Sequence, residues 1–217
     1  MKKINAQVQI VTPCILAGTD QSTAELRPAS IRGQLRWWFR LLNPGQHERE
    51  KAIFGGVHGG PRASSVVVRV KAPESLEVKN GQSAADIVGK KNDYFLWPLG
   101  RSNGGRGVLA PGQSFNLSIT HRRVKDGQQL PEDVVRAFLL FGALGTRSRR
   151  AYGSIYPETA EVDGHPWGFP QDIEQLTEAV HKLLRPADCT VLSLAEPASL
   201  ASKAVETCAN FLRAFRC

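Results

Sequence analysis

Much of the chemistry this 217-residue chain lacks is visible at once. Its four cysteines, Cys14, Cys189, Cys208 and Cys217, are scattered, and no C-x-x-C pair occurs. That spacing argues against a disulfide framework or a zinc site and for small buried hydrophobes. There is no long apolar run, no signal-peptide h-region and no lipidation box, so a cytoplasmic protein without a membrane partner is expected. The carboxylates Glu48, Glu50, Glu74 and Glu77 sit in scattered polar context, so neither a dedicated metal site nor a cofactor is expected. The glycine-rich segments lack the Lys-Ser/Thr ending of a P-loop, which removes that route to nucleotide hydrolysis. No internal repeat is visible.

What is present fits an ordinary globule, with 41% hydrophobic and 22% charged residues. The length suits one large domain or one and a half, with a substantial core. The formal net charge of +8 says nothing about fold but points to an acidic partner, nucleic acid first.

The segment Leu26–Leu42, LRPASIRGQLRWWFRLL, is the most informative stretch. Pro28 and Ser30 suit a helix entry. At 100° per residue, Ile31, Leu35, Trp38, Phe39 and Leu42 share one arc, the arc a core would bury. Arg32, Arg36 and Arg40 recur every four residues on a neighbouring stripe. No acidic residue lies between Arg27 and Gln46, so nothing local neutralises that stripe, and a polyanion is its natural partner. The competing reading is a solvated face whose arginine stems cover apolar surface.

Along the rest of the chain, alternation predicts strands over Lys3–Val11, Ser64–Ala72, Gln113–Arg122 and Ser154–Thr159. A loop spans Thr12–Glu25, and His47–Phe54 reads as one or two helical turns stopped by Gly55-Gly56. Val57–Ala63 reads as a mobile glycine-rich loop and Pro73–Asn92 as a polar insertion. A short strand is expected over Asp93–Leu99. Pro131–Leu144 is apolar almost all round and reads as a buried helix, and Gln171–Leu184 as an amphipathic one. A strand over Asp188–Leu194 and a helix over Leu200–Phe215 complete the reading. The order β-α-β-β-α-β through Thr159 is that of a ferredoxin-like split unit, so the fold class is α+β with appended C-terminal helices. Residues 1–160 then form the ferredoxin-like domain and 161–217 a helical and strand appendage.

A second basic element is GALGTRSRRAYGSI, residues Gly142–Ile155. Its glycines allow positive φ and close backbone approach, leaving amides open to an oxygen ligand. Arg147, Arg149 and Arg150 add three charges, and Tyr152 offers a ring on which a base could stack.

These two stretches resemble the hallmark motifs of the RAMP superfamily of CRISPR effector subunits. Within it they most resemble the first subunit of the Cmr, or type III-B, complex. The similar features are the Gly18-x-Asp20 loop, the string from Glu25 to Arg40, the Phe54-Gly55-Gly56 stop, and Gly145, Arg147, Ser148, Arg149 and Arg150. The likeness runs from Ile10 to Ile155. Ala151 stands where a glycine is usual. The chain is also shorter than family members with two ferredoxin-like halves, which leaves room for a reduced second half after residue 160.

The resemblance implies an RRM-related core that binds RNA. It implies a non-catalytic subunit of a type III CRISPR ribonucleoprotein in antiviral defence, holding guide RNA towards its 3′ end, target RNA, or both. Its partners would be guide RNA (crRNA), target RNA and other effector subunits, with no small-molecule substrate. It places Arg27, Arg32, Arg36, Arg40, Arg147, Arg149 and Arg150 near RNA phosphates, with Gly145 and Ser148 shaping the loop. Buried pairing with carboxylates is the alternative for some of the helix arginines, Arg27 and Arg32 first among them. Two rival functions stand beside this one: a metal-independent endoribonuclease that matures guide RNA, and a protein–protein scaffold. Cleavage without metal needs a positioned base, for which His58 and His121 are the candidates; Asp20 is the candidate for metal-assisted cleavage. Each also has a plain structural role open to it, as loop histidines or as the brace of a turn. Trp37 lies away from both the core arc and the arginine stripe, and is expected in core or interface packing, with a base as the alternative.

Overall fold

The computed structural model describes residues 2–20, 23–57, 60–72, 107–122, 129–148 and 152–184. The expected strands at 93–99 and 188–194, the helix at 200–215, and Cys189, Cys208 and Cys217 lie outside the described residues.

Strand β1 (Lys3–Ile10) alternates in burial as its sequence alternates, with Ile4, Ala6, Val8 and Ile10 inward. It is followed by β2 (Cys14–Ile15), α1 (Pro28–Leu42), α2 (His47–Phe54) and β3 (Val66–Lys71). Then come β4 (Val108–Leu109), β5 (Ser114–His121), α3 (Glu132–Phe141), β6 (Ile155–Val162), β7 (His165–Pro166) and α4 (Ile173–Leu184). The main sheet has the order β3-β5-β1-β6-β7, every pairing antiparallel. Counting its four long strands in chain order gives 2-3-1-4 with helices crossing after the first and third, the ferredoxin-like arrangement. β6 runs past Thr159 to Val162, and β7 pairs back onto it, so the sheet continues beyond residue 160.

Both crossover helices lie on one face of the sheet, which places the core between them. All five residues of the expected α1 arc, Ile31, Leu35, Trp38, Phe39 and Leu42, are buried. The apolar run of α3 buries Val134, Val135, Ala137, Phe138, Leu139 and Leu140. It stops at Gly142, where a Cβ would stand 2.1 Å from the Phe138 carbonyl oxygen. α2 ends at Gly55, whose φ of 78° only glycine adopts cheaply. The glycine-rich loop after it is closed at its ends: Gly56 and Arg62 exchange backbone hydrogen bonds of 3.1 and 2.8 Å. Beyond the sheet, the Arg136 guanidinium lies 4.5 Å from the Trp167 ring centroid and 5.2 Å from that of Phe169, and donates to the Gly168 carbonyl. That clamp ties the segment leading into α4 to α3.

The short sheet of β2 and β4 was not legible, because two-residue strands carry no period. Leu35 has no exposed surface and joins α1 to the core. Leu35→Ala should cost about 2–5 kcal/mol, read as a lowered urea midpoint with an unchanged slope.

Candidate nucleic-acid interface

The arginine stripe of α1 stands beside its buried arc, as helical spacing requires. The three arginines differ in what they touch. Glu50 of α2 is buried and accepts from both Arg36 and Arg40. Arg40 donates from Nε at 2.9 Å and from Nη2 at 2.6 Å, and Arg36 donates from Nε. The bond from Arg40, and after it that from Arg36, holds the Glu50 carboxyl below the usual carboxylate range against its burial. The same pairing raises Arg40. Thus the expectation of an unneutralised stripe is corrected: the acid comes from the next helix, four residues past Gln46. The expected pairs are corrected too. Arg32 is exposed and makes no ion pair among the described residues, while Arg27 stands 3.9 Å from Glu25, both exposed, a contact of little energy.

One carboxylate for two guanidiniums leaves the cluster with a net positive charge. Arg36 keeps both terminal nitrogens, and Arg40 one, outside the bonds to Glu50. Arg32 also shares a concavity of about 320 Å³ with Ser64 and Arg122, beside edge strand β3. Neither Glu50 as clamp nor Arg122 as neighbour was foreseen. For Glu50 the signal was its placement in HERE, the first acid-bearing turn after the arginine helix.

The glycine-rich segment forms a bent pair of arms pinned to the chain that leads into α1. Leu144 N–H donates to the Gly153 carbonyl, Gly153 N–H to that of Pro13, and Thr146 N–H to that of Ile15. Two glycines are required by contact. A Cβ on Gly145 would stand 2.3 Å from the Ile15 carbonyl oxygen, and one on Gly153 1.9 Å from that of Leu144. Arg147 sits at φ 65°, an unusual conformation for a residue with a side chain and one characteristic of functional loops. From Ile15 the chain runs on to Leu16, whose carbonyl accepts from Glu25 N–H, two residues before Arg27. The structure therefore brings Gly145, Arg147 and Ser148 to the loop that opens α1. Arg149 and Arg150 lie outside the described residues.

Tyr152 is a correction: its ring is fully buried, so it offers no surface to a base. His121 is likewise buried at the end of β5, its Nδ1 accepting from Leu130 N–H at 3.3 Å. Burial, and after it the Lys2 ammonium, pushes the imidazole down, so the ring is neutral but closed to solvent, unsuited to proton transfer on a bound strand. His58 lies outside the described residues. Asp20 accepts from the Thr23 hydroxyl at 2.7 Å, the bracing role. Burial pushes the Cys14 thiol up to about 12, which leaves it inert.

The open face of the sheet carries polar rows. Arg69, Ser118, Asn5 and Glu161 stand in register, as do Lys71, Asn116, Gln7 and Thr159. They floor a concavity of about 830 Å³. No helix of the described residues is long and apolar enough to cross a membrane.

A profile described as the RAMP superfamily matches residues 7–156. Among curated proteins the chain is similar to CRISPR system Cmr subunit Cmr1-1 of Pyrococcus furiosus, 29% identical over 60% of this chain and 40% of that protein. It is also similar to Cmr subunit Cmr1-2 of the same organism, 27% identical over 68% of this chain and 91% of that one. The matched part thus spans well under half of the first relative's length. Among solved structures, the fold resembles apo Cmr1 from Pyrococcus furiosus, with a TM-score of 0.71 and 21% identity over 99% of this chain and 72% of that one. It also resembles a chain of the type III-B Cmr-beta complex bound to cognate target RNA, with a TM-score of 0.56 and 12% identity over 89% and 64%.

Two outcomes follow from these side chains. Glu50 has a lowered folded value, so its stabilisation is present above the unfolded carboxylate range and is lost as pH falls through the folded value. Glu50→Gln should therefore cost about 1–3 kcal/mol at neutral pH, the difference from wild type shrinking below about pH 4 in urea titrations. His121 also has a lowered folded value, so stability should drop as pH falls below about 6.5. His121→Gln should flatten that limb of a Tm-against-pH curve.

Proposed function

The chain belongs to the RAMP superfamily, and from that premise we propose that it is an RNA-binding, non-catalytic subunit of a type III CRISPR ribonucleoprotein. It holds the guide RNA towards its 3′ end, or the target RNA, by its phosphates, beside other effector subunits. The part of residues 161–217 that follows the main sheet is an appendage to the RAMP unit or a reduced second half. The observation that carries this reading is the charge balance of α1. One buried carboxylate serves Arg36 and Arg40, and Arg32 makes no ion pair among the described residues. A scaffold whose arginines served internal ion pairs would balance those charges. The placement of Arg147 on a loop pinned next to the entry of α1 extends the cationic surface. The neighbouring complex solved with target RNA supports the choice of RNA over other polyanions. The burial of His121 weighs against the nuclease that would use it.

The test is binding of a labelled guide-like single strand between low and moderate salt, with the same gel read for cleavage. Affinity should fall steeply with salt and the RNA should stay intact. Arg32→Ala combined with Arg147→Ala should weaken binding at least tenfold at low salt. It should reduce the salt slope by roughly 1.4, two phosphates at about 0.7 each. Discrete products would make the chain a nuclease, and absence of binding would make the arginines structural.

A further inference from the structure

An RRM-related sheet reads single strands by stacking bases on aromatics of its open face. Here the rows through Asn5 and Gln7 hold Asn, Gln, Ser, Thr and charged residues, and the one ring beside them, Tyr156 in register with Gln9, is half-buried with its hydroxyl donating to the Pro170 carbonyl. Tyr152 is buried. Among the described residues the large hydrophobic side chains left exposed are Trp37, at 43%, and Val57. Trp37 lies on α1 in the sector beyond the arginine stripe, away from the buried arc.

Its surroundings are specific. The Trp37 ring stands edge-to-face against Trp38, centroids 5.0 Å apart and planes at 87°. Trp38 is itself buried and reaches Phe141 of α3 at 6.4 Å. The exposed indole is thus braced from behind, so little freedom is lost when something stacks on it. One turn before it, Gly33 is exposed in mid-helix, and a Cβ there would meet nothing within 4 Å among the described residues. Packing among the described residues gives no reason for a residue that weakens a helix. Its effect is an open shelf beside the ring. Arg36 and Arg40 flank that shelf with nitrogens outside their bonds to Glu50. An apolar protein surface docking there would strip water from those cations without neutralising them. A nucleic-acid strand supplies both the π-face and the anions.

We infer that Trp37 is a base-stacking platform, taking one unpaired base of a single-stranded RNA over the Gly33 shelf while Arg36 and Arg40 take the adjoining phosphate. This rests on the RNA-binding reading and adds to it a contact that salt does not screen.

The test uses the full chain and a labelled adenosine-rich RNA of about a dozen nucleotides, with affinity measured across a salt series. Trp37→Ala should weaken binding about tenfold at every salt concentration with an unchanged slope, since stacking releases no counterions. Trp37→Phe should stay within a few-fold of wild type and lose the part of the indole quenching that Trp37 contributes. Gly33→Leu, which fills the shelf while improving the helix, should weaken binding without lowering Tm. If wild type binds in a salt-dependent way and either Trp37→Ala or Gly33→Leu binds as tightly, the platform is overturned and the phosphate reading stands. If Trp37→Ala changes only the sedimentation of the protein and not its RNA affinity, the face is a protein contact and the inference fails. If wild type binds no RNA at low salt, both readings fall together.

Discussion

The Glu50 carboxylate is the interaction on which the basic surface of this domain depends. Cations placed every four residues on one helix repel one another, and like charges at that spacing weaken a helix. Arg36 and Arg40 form such a pair, and the helix that bears them must also seal the core through five apolar side chains. Glu50 resolves the conflict from α2. It is itself shielded from water, which makes its bonds to both guanidiniums stronger than surface pairs, and those bonds offset its desolvation. The same contacts fix the direction of two long side chains. A guanidinium held through Nε presents its remaining N–H groups outward in a set geometry, which lowers the entropy lost when a phosphate arrives.

A second constraint is the close approach of backbone to backbone around the glycine-rich segment. Gly145 against Ile15, and Gly153 against Leu144, admit no side chain. The first contact, with the bonds from Thr146 N–H to Ile15 and from Gly153 N–H to Pro13, binds a loop between α3 and β6 to one between β1 and α1, segments about 130 residues apart in the chain. Arg147 is consequently held beside the entry of α1 by scaffold contacts and not by its own side chain. The left-handed backbone at Arg147 is tolerated because the bonds of Leu144, Thr146 and Gly153 on either side over-determine the path.

Period and punctuation made most of the fold readable. The alternation of β1 and the arc of α1 each reappear in the burial pattern residue for residue, and Gly55 ends α2 where the sequence places its stop, whereas α3 ends at Phe141, short of the expected Leu144, because Gly142 closes on the Phe138 carbonyl. What stayed hidden was whatever depends on a partner distant in sequence. The two-residue pairing of β2 with β4 has no local signature. The choice of Arg36 and Arg40, not Arg27 and Arg32, as partners of a carboxylate depends on how α2 folds back along α1. Tyr152 shows the same limit from the other side. A tyrosine in a glycine–arginine loop suits stacking by composition, and only the folded chain reveals that the ring turns inward.

Electrostatics alone would make a poor grip for a strand that must stay in place at cellular salt, because each phosphate contact weakens as counterions become abundant. A stacked base has no such dependence, so a surface combining both retains affinity where a purely cationic one fades. The open face of the sheet supplies little of that term, since its rows through Asn5 and Gln7 carry no ring and Tyr156, in register with Gln9, is half-buried and tied to Pro170. Helix α1 can, because an α-helix of 15 residues has circumference enough for an apolar arc, an arginine stripe and an exposed indole. Each of the three uses a different sector, and the sectors are fixed by the same 100° step. Moving any one residue of LRWWFR by a single position would carry its side chain into the wrong sector, which is why so short a string holds so much of the molecule's chemistry.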